Sequence, residues 1–282
     1  MNMAAESDFL LGMAESSRQR DVASRGVLSD AQQRTQLLHL KHPSGLHLAS
    51  SGFDLIAEIK KRSPAEGQLD DSKTSMEVQA AAYVRGGAAV LSVLTEPKQF
   101  SGSLDDLDAV AANIGSVPVM RKDFLVSRYQ VREARLAGAS GVLLIAAILD
   151  TDQMAAMLET AFEQGLFVLM EVFDLVDLEK CVPVLEQFGA GVKDGRCDYL
   201  LGVNCRDLRT LKVNFEHFQH IAPNLPADMV WVAESGVTDS SQVEALVKLG
   251  YRMALVGTAL MRSGDPAATV ATLKAAGLSA CS

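Results

Sequence analysis

Glu58 and Lys60 stand two residues apart in the run Leu55-Ile56-Ala57-Glu58-Ile59-Lys60. Residues two apart in a strand share a face, so Ile56, Glu58 and Lys60 lie together and Leu55, Ala57 and Ile59 form an apolar opposite face. Burying two opposite charges costs several kcal/mol per ion before their attraction is counted. A carboxylate beside an ammonium has a use, because each shifts the other's pKa and the two supply a base and an acid near neutral pH. The pattern recurs. Arg121-Lys122-Asp123 follows the apolar run from 117, Glu171 lies in LMEVFD, Asn204 and Arg206 lie in GVNCRD, and Glu234-Ser235-Gly236 lies in VAESG. One charged residue at the end of an apolar run is most simply a solvated end or a structural ion pair. Five such ends together indicate one shared site.

Elements are needed that bring these ends together. Eight short apolar runs recur along the chain: 54–59, 88–94, 117–122, 141–146, 166–172, 199–204, 230–235 and 253–257. Several are apolar on both faces, as parallel strands covered by helices are. Helix signals lie between them: Ser103 ahead of Asp105 and Asp106, Thr151-Asp152, and Asp239-Ser240-Ser241 as starts, with Gly138, Gly165 and Gly250 as stops. Eight strand–helix repeats fit a (β/α)8 TIM barrel, whose active site gathers at the C-terminal ends of the strands. An open doubly wound sheet usually brings a GxGxxG turn after its first strand, and none is present. The loops after strands seven and eight of such barrels often bind phosphate. Here they carry Ser235-Gly236 and Gly257-Thr258, which let backbone and hydroxyl donors approach an anion. Residues 1–50 read differently, as a helical extension with a break near Gly26, packed on a barrel domain of residues 51–282.

Composition narrows the function. The chain has 282 residues, 48% hydrophobic and 22% charged, with a net charge of −9. The acidic balance argues against a nucleic-acid surface, and no apolar run approaches the ~20 residues that span a membrane. Four scattered cysteines without a CxxC pair suggest a reducing, cytoplasmic compartment. His39, His42, His47, His217 and His220 fall in the N-terminal segment or a helix rather than at strand ends, so neither histidine catalysis nor a metal site is expected. Cys205 reads as a small filler, and Lys60-Lys61-Arg62 is too short to make a basic patch.

Taken in order, IAEIKKRSP, SVLTEPKQFSGSLDDL, PVMRKDF, MEVFD, GVNCRDL, VAESGV and ALVGTALMRSGDP resemble the indole-3-glycerol phosphate synthase family, from about Leu55 to Pro266. The resemblance implies a TIM barrel that acts in tryptophan biosynthesis without a cofactor. It converts 1-(2-carboxyphenylamino)-1-deoxyribulose 5-phosphate to indole-3-glycerol phosphate, carbon dioxide and water. It implies a phosphorylated small-molecule substrate and leaves room for other tryptophan-pathway enzymes as partners. By resemblance, Lys122 is the general acid of ring closure. Lys60 holds the anthranilate carboxylate and is a second candidate acid. Glu58 and Glu171 stabilise the cationic intermediate and move protons during dehydration. Asn204 and Ser235 fall among the catalytic positions, and Phe124, Arg206 and Glu234 among those that bind substrate. Ser63, Gly236, Gly257 and Thr258 match the phosphate region. The division of steps between the two lysines and between the two glutamates stays open.

Some positions depart from the family pattern. Phe173 stands where histidine is usual, Ser127-Arg128 precedes Tyr129 in place of Asp-Pro, Ala65-Glu66 replaces Ser-Lys, and Thr258 replaces glutamate or serine. None removes a catalytic match. They leave a secondary indole pathway open beside the primary one. Two rival readings remain, a sugar-phosphate isomerase and a catalytically silent barrel. The first does not use Glu58, Lys60, Lys122 and Glu171 together, and the second gains nothing from a chain that keeps Lys122 and Glu171.

Overall fold

The computed structural model describes residues 8–48, 52–64, 67–68, 75–115, 117–207 and 210–281. Ala65-Glu66 lies outside them. Eight parallel strands close into a barrel: β1 (Asp54–Ile59), β2 (Val90–Leu94), β3 (Val119–Lys122), β4 (Gly141–Ile145), β5 (Phe167–Val172), β6 (Tyr199–Asn204), β7 (Trp231–Glu234) and β8 (Met253–Val256). Each matches one of the eight apolar runs. Closure comes from β8 pairing with β1, Met253 opposite Asp54 and Val256 opposite Ala57. Except for end residues such as Asp54, Lys122 and Trp231, the strand residues are buried, because helices cover the outer face.

Helices precede and separate the strands: α1 (Asp8–Val27), α2 (Asp30–Leu37), α3 (Met76–Arg85), α4 (Leu104–Asn113), α5 (Arg128–Leu136), α6 (Thr151–Glu163), α7 (Leu175–Glu186), α8 (His217–Ile221), α9 (Ser240–Lys248) and α10 (Pro266–Ala280). Side chains cap their first turns: Ser103 accepts from the N–H of Asp106, Asp150 from that of Gln153 and Asp239 from that of Gln242. The N-terminal pair breaks just after Gly26, where Ser29 and Gln32 form a capping box that starts α2. Leu46–His47 adds a short antiparallel strand to Arg196–Cys197, a pairing that the turn-rich sequence of 42–51 does not announce.

The N-terminal helices bind the β3–α5 region mainly through polar contacts. Arg20 of α1 grips both oxygens of Asp123 at 2.7 and 2.8 Å. Gln130 donates to Ser17, Gln33 donates to the Tyr129 carbonyl, and the Tyr129 hydroxyl donates to the carbonyls of Ser24 and Leu28. Leu10, Met13 and Ala14 of α1 join the apolar core.

Arg121 and Asp123 do not face the barrel mouth with Lys122. Both are buried on the other face of β3, where Arg121 bonds Asp123, Glu133, the Thr95 hydroxyl and the Gln130 carbonyl. Strand alternation is the reason: if Lys122 points inward, its two neighbours point outward.

Candidate active site

A cavity of about 380 Å³ opens at the C-terminal ends of the barrel strands. Glu58, Lys60, Ser63, Lys122, Asn204, Arg206, Glu234, Ser235, Gly236, Gly257 and Thr258 all line it. Two expected residues stand off its wall. Phe124 packs behind it, with ring centroids 6.3 Å from both Phe9 and Phe100, which do line it. Glu171 lies beside Lys122 and Asn204 and faces a second cavity of about 450 Å³, bounded also by Leu10, Leu11 and Phe173. Helix α1 thus lends consecutive residues to both cavities.

The charged groups form a connected set. Lys60 Nζ lies 2.5 Å from Glu58 Oε1. Lys122 Nζ lies 4.0 Å from Glu58 Oε2 and 3.9 Å from Glu171 Oε2, so one ammonium bridges two carboxylates from opposite sides. Asn204 Nδ2 donates to Glu171 Oε1 at 3.1 Å, and its own Oδ1 accepts the N–H of Arg206 at 2.9 Å. Arg206 is steadied by the Leu211 carbonyl at 3.1 Å. Lys61 turns away to Asp106 of α4, which leaves Lys60 as the inward member of the lysine pair.

These contacts set the proton affinities. Burial by itself disfavours charge on Glu58, but Lys60 and Lys122 outweigh it and hold the carboxyl below its usual range. Burial also works against the Lys122 ammonium, yet Glu171 and Glu58 more than offset it and raise the pKa above that of an ordinary lysine. Glu234 goes the other way. Burial and the negative charge of Glu171 push its carboxyl well above the usual range.

Two glycines are required by these side chains. A Cβ on Gly257 would stand 2.3 Å from Glu58 Oε1 and 3.0 Å from Lys60 Nζ, so the pair occupies space that any other residue would fill. A Cβ on Gly202 would stand 2.1 Å from Glu234 Oε1. On the cavity wall Ser235 and Gly236 take positive φ values of 69° and 71°, which turns the backbone after β7. Such a conformation costs a non-glycine residue about 1–3 kcal/mol and is retained where the surroundings demand it. Cys205 packs beneath Gly236, and burial pushes its thiol up to about 12, as suits a filler.

The sequence reading missed Phe9, Phe100 and Arg262 of the cavity wall. Phe9 lies in an N-terminal stretch without strand rhythm, and Phe100 in a short helical turn after β2, so no local signal marked either. In the sequence His217 stands away from every strand end. It lies on α8, but its ring stacks on Phe173, just beyond β5, at a centroid distance of 4.6 Å. Among the described residues no group of three or more His, Cys, Asp and Glu is placed to hold a metal ion, and no helix is long and apolar enough to cross a membrane.

Comparison with known proteins agrees with the geometry. The family model for indole-3-glycerol phosphate synthase matches residues 15–273. An indole-3-glycerol phosphate synthase from Nocardioides sp. is 45% identical over 224 residues, covering 79% of this chain and 81% of that protein. One from Mycolicibacterium gilvum is 40% identical over 260 residues, covering 91% and 90%. Among solved structures, 3-hexulose-6-phosphate synthase from Salmonella typhimurium superposes with a TM-score of 0.62 at 16% identity, covering 81% of this chain and all of that one, a likeness of fold. With the family model spanning nearly the whole barrel and relatives above 40% identity over most of its length, the chain belongs to the indole-3-glycerol phosphate synthase family.

Proposed function

We propose that this chain closes, decarboxylates and dehydrates 1-(2-carboxyphenylamino)-1-deoxyribulose 5-phosphate to indole-3-glycerol phosphate. The observation that carries the reading is the placement of Lys122 between Glu58 and Glu171. Attack of the aromatic carbon on the ketone needs a proton on the developing alkoxide, and it leaves positive charge on the ring and its nitrogen. A raised-pKa ammonium at the ketone meets the first need, and carboxylates beside it meet the second. Lys60, bonded to Glu58, holds the anthranilate carboxylate on this reading. Ser235, Gly236, Gly257 and Thr258 offer backbone and hydroxyl donors for the phosphate. Phe9 and Phe100 supply an apolar wall for the aromatic ring. All four cysteines are free, which fits a reducing cytoplasm.

The test is a single turnover with enzyme in excess, followed by the rise of indole fluorescence. Wild type gives emission at a rate set by enzyme concentration. Lys122→Met lowers that rate by about 10²–10⁴ while substrate still binds. Tight binding without emission from wild type would mark a silent barrel, and full activity in the variant would remove Lys122 as the acid.

A further inference from the structure

Glu234 is 1% exposed, and neither of its carboxyl oxygens has a hydrogen-bond partner among the described residues. Glu171 is 2% exposed, and its Oε2 is likewise without one. The two side chains approach each other across β6. Gly202 of β6 pairs with Glu171 of β5 on one side, and the Glu234 carboxyl from β7 lies over Gly202 from the other. Two carboxylates can only accept hydrogen bonds, so this approach is satisfied when one of them carries a proton. A buried carboxylate without a donor is among the costliest arrangements in a protein, and neutralisation removes the cost. The other charged groups facing Glu234 are Lys122 from β3 and Glu58 from β1. Cys205 and Arg206 follow β6, and the Cys205 thiol is neutral. The cations are already shared: Lys122 lies between Glu58 and Glu171, and Lys60 bonds Glu58.

The chemistry gives this proton a task. The substrate enters as a carboxylate. Ring closure places one proton on the ketone oxygen. Loss of carbon dioxide returns the electron pair of the broken bond to the ring and restores its aromaticity. The hydroxyl leaves as water and takes a second proton. One proton comes off the neighbouring carbon as the indole double bond forms. Two protons are consumed and one is released.

On the function proposed above, we infer that Glu234 enters turnover as a neutral acid sharing one proton with Glu171, and gives that proton to the departing hydroxyl. Glu234 is the member of the pair on the cavity wall. The pair then takes up the proton released from carbon, so dehydration closes within it and needs no exchange with water. The net proton replaces the one Lys122 gave to the ketone. That suits the burial, because the Lys122 side chain is 16% exposed and that of Glu171 is 3%.

Two measurements test this. First, an infrared difference spectrum of wild type against Glu234→Gln, in H2O and D2O at neutral pH, should carry a deuterium-sensitive carboxylic-acid C=O band. This readout needs no substrate. Its absence would mean that both glutamates are ionised and would overturn the proposal. Second, carbon dioxide and indole are followed separately in a single turnover. Glu234→Gln keeps the neutral shape but has no acid to give. It should release carbon dioxide at close to the wild-type rate, with substrate affinity kept and indole formation slowed by about 10²–10⁴. Equal slowing of both products, or a loss confined to affinity, would make Glu234 a binding group and overturn the assignment. Failure of the wild type to release either product would instead strike the proposed function, with the infrared band unaffected.

Discussion

Lys122 shows how far a residue's chemistry depends on what surrounds it. Its charge is favoured by Glu171 and Glu58, and Glu58 is kept ionised by Lys60 and Lys122. The pH dependence follows from the signs. A lowered Glu58 loses its charge only as pH falls through a value below the ordinary carboxylate range, so the acid limb of kcat lies far down. A raised Lys122 keeps its proton past the ordinary lysine range. Glu234 has the raised carboxyl, and its acid is lost as pH rises through that value. With Glu234 as the acid inferred above, its titration belongs to the alkaline limb of kcat, and in Glu234→Gln that titration should be gone from the limb. Gly257 gives a second prediction at this scale. Its φ is −120°, which alanine tolerates, and the atoms an added Cβ would meet are side-chain tips that can shift. Gly257→Ala should fold with a Tm near that of wild type and lose about 10²-fold in kcat, as Glu58 and Lys60 are moved off station. A wild-type rate would show that their placement does not matter. The residue types of the site were legible in sequence because charges closing apolar runs are rare. The reason for Gly257 was not, since a clash with a side chain from a neighbouring strand has no local signature.

The elements were legible where a physical period stood behind them. Apolar runs gave the eight strands, and caps such as Ser103 and Asp239 gave helix starts. Two things escaped. Alternation within β3 separates Lys122 from Arg121 and Asp123, although all three close the same run. The docking of α1 escaped as well, because it rests on long-range polar pairs that leave no pattern in either partner. Arg20 and Asp123 are 103 positions apart. Asp123 is held by Arg20, Arg121, the Thr95 hydroxyl and the Phe124 N–H, so removal of Arg20 leaves it still paired. Arg20→Ala should therefore lower stability by about 2 kcal/mol, and it should raise KM several-fold more than it lowers kcat, because α1 brings Phe9 to the cavity wall. Denaturant unfolding and steady-state kinetics read the two effects. An unchanged KM would show that α1 stays docked without the clasp.

At the scale of the whole molecule, Glu58, Lys122, Glu171 and Glu234 come from β1, β3, β5 and β7, one from each alternate strand. Barrels of this kind fill each interior layer with four side chains from alternate strands, usually bulky and branched. Here the uppermost layer is an ammonium and three carboxyls, resting on an apolar interior. Packing around the barrel protects three thiols, Cys181 on α7, Cys197 in the short Arg196–Cys197 strand and Cys205 just after β6. Burial raises Cys181, Cys197 and Cys205 to about 12, while Cys281 is exposed. Native protein should consume one equivalent of a thiol reagent rapidly and four after unfolding. More than one fast thiol in native protein would mean that α7, the short Arg196–Cys197 strand or the turn after β6 opens on the labelling timescale. The closure of the barrel also bears on how the site comes into being. Asp54 meets Met253, 199 positions further along, so β1 has no β8 partner until most of the chain has left the ribosome. Contacts this distant form late and slowly. The gap above Gly257 that receives Glu58 exists only after that final strand docks. A nascent chain holding seven strands lacks that seat for its carboxylate, so catalysis begins only once synthesis is nearly complete.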